Sequence, residues 1–412
     1  MAEDLALLED ALRKEWSYFE SRTASGDVDV EALFARAREE IGGGCTRAEF
    51  ARALRELVAG LHDGHADLVV PGVEPRALRR FPFDLLDCVE GVAVSRVADP
   101  GPAQSDESPT PGDLVLSIGG VGLEEAIERE ERAVFGSTAG MRRRAALEAL
   151  CRTEEVVADL ELESPAGERR LVRVATLESE PAELARPAPG AAPSLGWPRP
   201  GVALLAIPSF GLPDWPRWLA ATQEQRDRML PEAQGRFDAL LDQVENDEAK
   251  ALILDLRGNP GGTDSLGIHV AERLLAEQFV YFQLSAKTNG EWTPPGGITY
   301  SPRRPYAGRV LLLIDAGTFS TASNLARCLR DLHPALSVVG RPDGAGTGAP
   351  RRIAQLPHSG AEITLCTHRV RGPAGAISEG HPTLPDRVVT WSRADLRERS
   401  DPDLAAALSL LE

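Results

Sequence analysis

The last half of this 412-residue chain is predicted to be an α/β domain, following a helical segment and a β-rich module. Three observations predict it. From residue 200 onward, short continuous runs of Val, Ile and Leu alternate with helical patterns, as in strands buried on both faces of a sheet. Two of those runs end in turns of glycine or small residues that open helices, Arg257–Gly262 and Ala316–Ser320. Before residue 179 the period differs, first helical and then alternating.

The elements follow in order. Leu5, Leu8, Leu12 and Trp16, then Val30, Leu33, Phe34 and Ala37, recur at helical spacing. Thr46-Arg-Ala-Glu49 reads as a capping box for a helix carrying Phe50, Leu54, Leu57, Val58 and Leu61, which runs into Leu61-His62-Asp63-Gly64-His65. Gly91–Val97 alternates as a strand. Leu114–Ile118 follows Pro111-Gly112-Asp113 and is closed by Gly119-Gly120. Helices are expected near Leu123–Arg132 and Met141–Cys151, then a hairpin of Val156–Leu162 with Arg170–Val174. Five prolines within 179–199, with several alanines, read as a semi-rigid linker. Buried strands are then expected at Val202–Ile207, Ala251–Leu256, Val310–Asp315 and Leu336–Gly340. Helices are expected near Pro231–Val244, Leu266–Ala276 and Ser320–Leu332.

Composition narrows the function classes. A formal charge of −18 disfavours nucleic acid and anionic membrane surfaces as partners. No stretch approaches about 18 consecutive apolar residues, and the acidic start MAEDLALLED is unlike a secretory leader, so a cytoplasmic protein is expected. Cys45, Cys88, Cys151, Cys328 and Cys366 are scattered without a CxxC pair, which points to five buried thiols and to neither disulfides nor a zinc site. Lys14, Lys250 and Lys287 are the lysines, so few amines could serve as a general base.

Four motifs carry chemistry, each with a plain alternative. Asp255-Leu-Arg-Gly-Asn-Pro-Gly-Gly262 could aim backbone N–H groups at developing negative charge, or be a tight turn; it lacks the Gly-Lys-Ser/Thr ending of a phosphate loop. Ser320, where a buried strand gives way to a helix, could expose its hydroxyl or simply cap the helix. Ile377–Asp386 reads as a loop in which Glu379 is by default solvated. His62 and His65 with Asp63 could suggest a metal, but no third ligand is placed and none is expected.

Together these motifs resemble the tail-specific, or C-terminal processing, serine peptidases, and within them the tricorn-core-like branch. The most specific element is LILDLRGNPGG, Leu252–Gly262, and the likeness covers nearly the whole chain. The element order of the middle region, with PGDLVLSIGG at Pro111–Gly120, resembles a PDZ module in which Phe135–Cys151 is an insertion. A small β domain without a ligand is the alternative there. The resemblance implies an α/β, crotonase-like (ββα spiral) catalytic domain at 200–412, a linker at 179–199, a PDZ-like β-rich domain at 76–178 and a helical segment at 1–75.

It also implies a serine-type peptidase that hydrolyses polypeptides, from or near their C-termini, through an acyl-enzyme on Ser320, with no cofactor. The processing branch pairs its serine with a lysine in the stretch matching Val339–Gly348. That stretch holds none, and an arginine does not deprotonate. The tricorn-like solution remains, with His65 matching the base and Glu379 the carboxylate that orients it. Gly261 and Thr321 N–H groups are expected to form the oxyanion hole, since Pro260 has no N–H. Relatives can place a serine relay beside the histidine; here Gly64 precedes His65, so a relay is absent or comes from Ser378. His62 is expected to be structural, and Asp386 to shape the loop it shares with His381. A binding protein on the same scaffold and an acyl-CoA enzyme are the alternatives. Oligomeric state is not legible.

Overall fold

Leu252, Ile253 and Leu254 have no polar side chain to offer water, and in the structure they are fully buried within a strand at Ala251–Asp255. The structure is a computed structural model that describes residues 1–73, 78–98, 108–288 and 291–412. The expected boundary at 75/76 lies outside the described residues.

The strand is central in a six-stranded sheet ordered 194–199, 202–206, 251–255, 309–314, 337–340, 387–388. Only the first pair is antiparallel. Register sets Asp255 opposite Leu313, so the two turns that follow these strands emerge side by side. The helices Gln223–Asn246, Asp264–Leu274 and Thr321–Leu332 contribute Phe237, Leu266, Val270, Leu325 and Leu329 to a core on one face. The C-terminal helix Pro402–Ser409 contributes Ala406 and Ala407 to the other. Burial on both faces is why these strands read as unbroken apolar runs.

The β-rich module is a second sheet, ordered 83–88, 91–97, 114–118, 157–163, 169–175, with Val121–Gly122 paired onto 114–118. Its helices Leu123–Glu131 and Ala139–Leu150 cover a core of Phe81, Phe83, Val94, Leu147 and Leu160. The four N-terminal helices, Ala2–Glu15, Phe19–Ser25, Val30–Ile41 and Arg47–Ala59, have no core of their own. They pack on a small sheet of 67–69, 362–366 and 350–355, and Leu5, Trp16, Phe34 and Phe50 share one cluster with Leu356, Ile363 and Leu365. The N-terminal helices and the strands at 350–366 are thus one unit. Among the described residues no helix is long and apolar enough to cross a membrane.

Several expectations change. The helix placed at Pro231 begins two turns earlier, because Thr222 and Gln225 form a capping box and Pro231 sits inside the helix. The end of the expected linker, Ser194–Arg199, is an edge strand, where Pro198 costs no ladder bond that a central strand would need. The Thr46–Glu49 capping box forms, but its helix stops at Ala59, so His62 and His65 lie on a turn rather than on one helical face. All five cysteines are free; Cys151, Cys328 and Cys366 are buried, whereas Cys45 and Cys88 are half-buried.

Candidate active site

The Ser320 side is assembled by neighbouring turns. Asp315 Oδ1 accepts hydrogen bonds from Gly258 N at 2.8 Å and Gly317 N at 2.9 Å, tying the two strand ends together. Burial opposes its charge, but the Arg144 guanidinium and those amides hold its pKa below the usual value. Thr318 Oγ1 donates to Leu256 O at 2.8 Å, and Phe319 N donates to Asn259 O at 2.9 Å. Arg257 pairs with Asp255, Asp401 and Asp403, so it braces the turn against the C-terminal helix. Ser320 then sits at φ 56°, ψ −124°, immediately before the helix Thr321–Leu332. A side-chain-bearing residue is rarely held at positive φ, and this cost is met by the surrounding bonds. The bend presents the hydroxyl above the sheet.

Gly261, at φ 94°, packs directly against Ser320; a Cβ there would lie 2.6 Å from the Ser320 Cβ. Its N–H donates to Asn259 Oδ1 at 2.8 Å, so this expected oxyanion donor is engaged within its own turn. Thr321 opens the helix, where backbone N–H groups have no intrahelical acceptor.

The opposite side comes from distant segments. The turn after Ala59 is pinned by Asp63, which is 1% exposed. Its carboxylate accepts from His65 N at 3.0 Å, Cys366 N at 2.9 Å and Trp16 Nε1 at 3.1 Å. That anchoring brings His65 Nε2 to 3.1 Å from Ser320 Oγ across 255 positions of sequence. The Phe319 ring lies 4.6 Å from the imidazole, centroid to centroid. Gly346 makes room for Phe319, since a Cβ there would meet its ring at 1.5 Å. Burial lowers the His65 pKa, only partly offset by Asp63, so the ring is neutral at pH 7 and able to accept a proton.

Glu379 is 2% exposed rather than solvated. Its Oε2 accepts from Thr347 N at 2.8 Å, and Arg22 Nη2 lies 3.6 Å from its Oε1. Burial and the nearby Asp63 push its pKa up to about 8, against the Ser137 side chain, Arg22 and the Thr347 amide, which lower it. Neither Glu379 Oε1 nor His65 Nδ1 closes a hydrogen bond of good geometry. Ser378 Oγ is likewise buried without a hydrogen-bond partner. His381 Nδ1 lies 2.9 Å from Glu379 O, and Asp386 accepts from Val338 N at 2.8 Å while pairing with Arg330.

Arg22, Ser137 and Thr347 are the residues around the site that sequence reasoning passed over, and Asp63, weighed there as a metal ligand, instead pins the turn that carries His65. No local signal marks Ser137; the structure shows it filling the space beside Gly64, where a Cβ would fall 2.5 Å from Ser137 Oγ. Behind the site a cavity of about 1380 Å³ separates the β-rich module from the central sheet, lined in part by Arg22, Arg142, Arg144 and His62. Burial together with Arg142 and Arg22 brings His62 down to a pKa of about 4. Asp63, His65 and Cys366 place potential ligand atoms within 4.8 Å of one another. The set does not fit a metal, because the Asp63 oxygens already accept three N–H groups and burial holds the Cys366 thiol far above its usual pKa.

Residues 201–389 match the model of peptidase family S41. A carboxyl-terminal-processing protease of Synechocystis sp. is 29% identical over 174 residues, 42% of this chain and 39% of that protein. A carboxy-terminal-processing protease of Bartonella bacilliformis is 26% identical over 166 residues, 40% of this chain and 36% of that protein. The chain thus spans about two fifths of the length of the curated relatives it matches. The solved structure of mature CPAF complexed with lactacystin superposes with a TM-score of 0.78 over 100% of this chain and 97% of that one, at 16% identity, which shows a shared fold.

Proposed function

We propose that the chain, whose residues 201–389 match the model of peptidase family S41, is a serine-type peptidase that cleaves polypeptides through an acyl-enzyme on Ser320. The observation that carries this reading is the 3.1 Å approach of His65 Nε2 to Ser320 Oγ. A serine hydroxyl is a weak nucleophile until a base takes its proton. His65 takes that proton as the Oγ–C bond forms, and delivers it to the departing amine as the C–N bond breaks. Water, activated by the same imidazole, then releases the acid and restores the serine. Glu379, once ionised, stabilises the imidazolium.

Thr321 N–H is the donor best placed at the helix start for the oxyanion. Gly261 N–H joins it by exchanging Asn259 Oδ1 for the substrate. The missing lysine in Val339–Gly348 favours the tricorn-like branch. The β-rich module is read as PDZ-like on its strand and helix order, and the central domain as crotonase-like. Cleavage at or near C-termini follows the names of the processing proteases. Five free thiols favour a reducing compartment such as the cytoplasm.

Reaction with a fluorophosphonate probe tests the assignment. Wild-type protein should be labelled on Ser320, and Ser320→Ala should not. Absence of labelling in the folded wild type would overturn it.

A further inference from the structure

Three segments far apart in sequence meet behind the His65 ring, and a single guanidinium holds them. Arg22 Nη2 donates to His62 O at 2.9 Å and to Ser137 O at 3.1 Å, and lies 3.6 Å from Glu379 Oε1. Arg22 and Ser137 are themselves buried, at 6% and 1% exposure. Ser137 belongs to neither terminal segment. It lies between the two helices of the β-rich module, one residue before Thr138, which caps the second.

The polar groups around it are incompletely matched. His65 Nδ1 and Glu379 Oε1 are both buried without a hydrogen-bond partner. An unmatched buried polar atom is expensive, and at a candidate site it points to a contact completed during function. The Ser137 hydroxyl is the small polar group at this junction. Its Oγ accepts the Gly64 N–H at 3.0 Å, next to His65, so its own hydrogen is free to be donated. Its side chain also interacts with the Glu379 carboxyl and favours the ionised form. The space next to His65 that a side chain at position 64 would fill is instead occupied by this hydroxyl, 2.5 Å from where a Cβ at Gly64 would sit.

We propose that Ser137, supplied by the β-rich module, is the positioning residue through which Glu379 acts on His65. A hydroxyl can donate to a carboxylate while accepting from a ring N–H. When His65 takes the Ser320 proton, Nδ1–H needs an acceptor, and Ser137 Oγ supplies it with its own O–H directed at Glu379. No net proton need cross the serine; the hydrogen bonds carry the polarisation. The β-rich module is then part of the catalytic machinery, and its seating governs whether the base is oriented.

This inference rests on the serine-peptidase reading, and the experiment separates the two. The rate of Ser320 acylation by a fluorophosphonate is measured from pH 5 to 9 for the full chain, Ser137→Ala, Glu379→Gln and the double variant. Ser137→Ala should slow labelling by about 10²-fold, the cost of a misoriented catalytic group. The double variant should be no slower than the slower single one, because the two residues act as a unit. A wild-type rate in Ser137→Ala, or deficits that multiply in the double variant, would overturn the proposal while leaving Ser320 labelling intact. Labelling that fails in the wild type would instead remove the underlying reading. Should Ser137→Ala not fold, the isosteric pair Ser137→Thr and Ser137→Val poses the same question. Thr, keeping the hydroxyl, should label at least about 10-fold faster than Val, and equal rates would refute the assignment.

Discussion

Ser320 and His65, the proposed nucleophile and base, are built on different scales. The hydrogen bonds that tie the turns around Ser320 together run within one stretch, Asp255 to Thr321, at the ends of two adjacent parallel strands, with Arg144, Asp401 and Asp403 bracing it from outside. His65 is held by Trp16, Asp63 and Cys366, and Glu379 by Arg22 and Thr347, with Ser137 at the junction. A site made of local turns survives as long as its sheet does. One made by long-range convergence depends on every module that contributes to it. The comparison teaches where the protein should be robust and where it should be sensitive.

The largest effect should fall where both sides meet. Ser320→Ala should lower kcat by about 10⁶-fold, and His65→Ala by a similar amount. Combining them should add almost nothing, since a proton acceptor without a nucleophile does no chemistry. Turnover of an unstructured polypeptide by the two single variants and the double variant measures this. Multiplicative losses would mean the two groups serve separate steps.

Glu379→Gln should cost less, about 10⁴-fold in kcat, as expected for the member of the set that acts through the histidine. Its pH signature is more informative. Glu379 is raised to about 8, so it is mostly neutral at pH 7 and ionises above that value. His65, lowered from its usual value, is already neutral there. The rate should therefore climb as pH rises through about 8, the direction set by the carboxylate and not the imidazole. In Glu379→Gln that climb should disappear. The same raised pKa favours the folded state at low pH, a contribution lost as pH rises from the unfolded value of about 4.5 toward 8. A rate that levels off below pH 7 in the wild type would show that the base side is preassembled in its ionised form.

The same division decides what could be read from the sequence. Leu252–Gly262 and Ile314–Ser320 announce themselves because strand, turn and helix start are neighbours, and each residue's role is visible in its immediate context. The proposed partnership of His65 with Glu379 could be named only through resemblance, since nothing local says that a glutamate in Ile377–Asp386 is buried. Ser137 was invisible for the same reason, and the empty position at Gly64 acquired meaning only once the fold filled it. The unity of the N-terminal helices with strands 350–366 was also hidden, because helical periodicity shows that a face is buried without showing what covers it. Gly261 shows the same limit from the other side, because the sequence places it beside Ser320 but does not show that its N–H donates to Asn259 Oδ1.

The smallest expected effect probes the outer support of the base. Trp16 is fully buried and its Nε1 donates to Asp63, which in turn holds the His65 backbone. Trp16→Phe keeps an aromatic ring but leaves Asp63 one donor short in a place water does not reach. Losing a hydrogen bond to a charged group should cost about 1.5–3 kcal/mol of stability. Denaturant unfolding reads that loss, with Trp197→Phe, at a surface position 39% exposed, as the control expected to stay within about 0.5 kcal/mol. Because Asp63 keeps its bonds from Cys366 and His65, the turn should remain in place, and Ser320 labelling should fall only a few-fold. A loss of labelling as large as that of Glu379→Gln, at unchanged stability, would show that the Trp16–Asp63 contact sets the imidazole position directly, and the long-range side would then reach one layer further out than the contacts around Glu379.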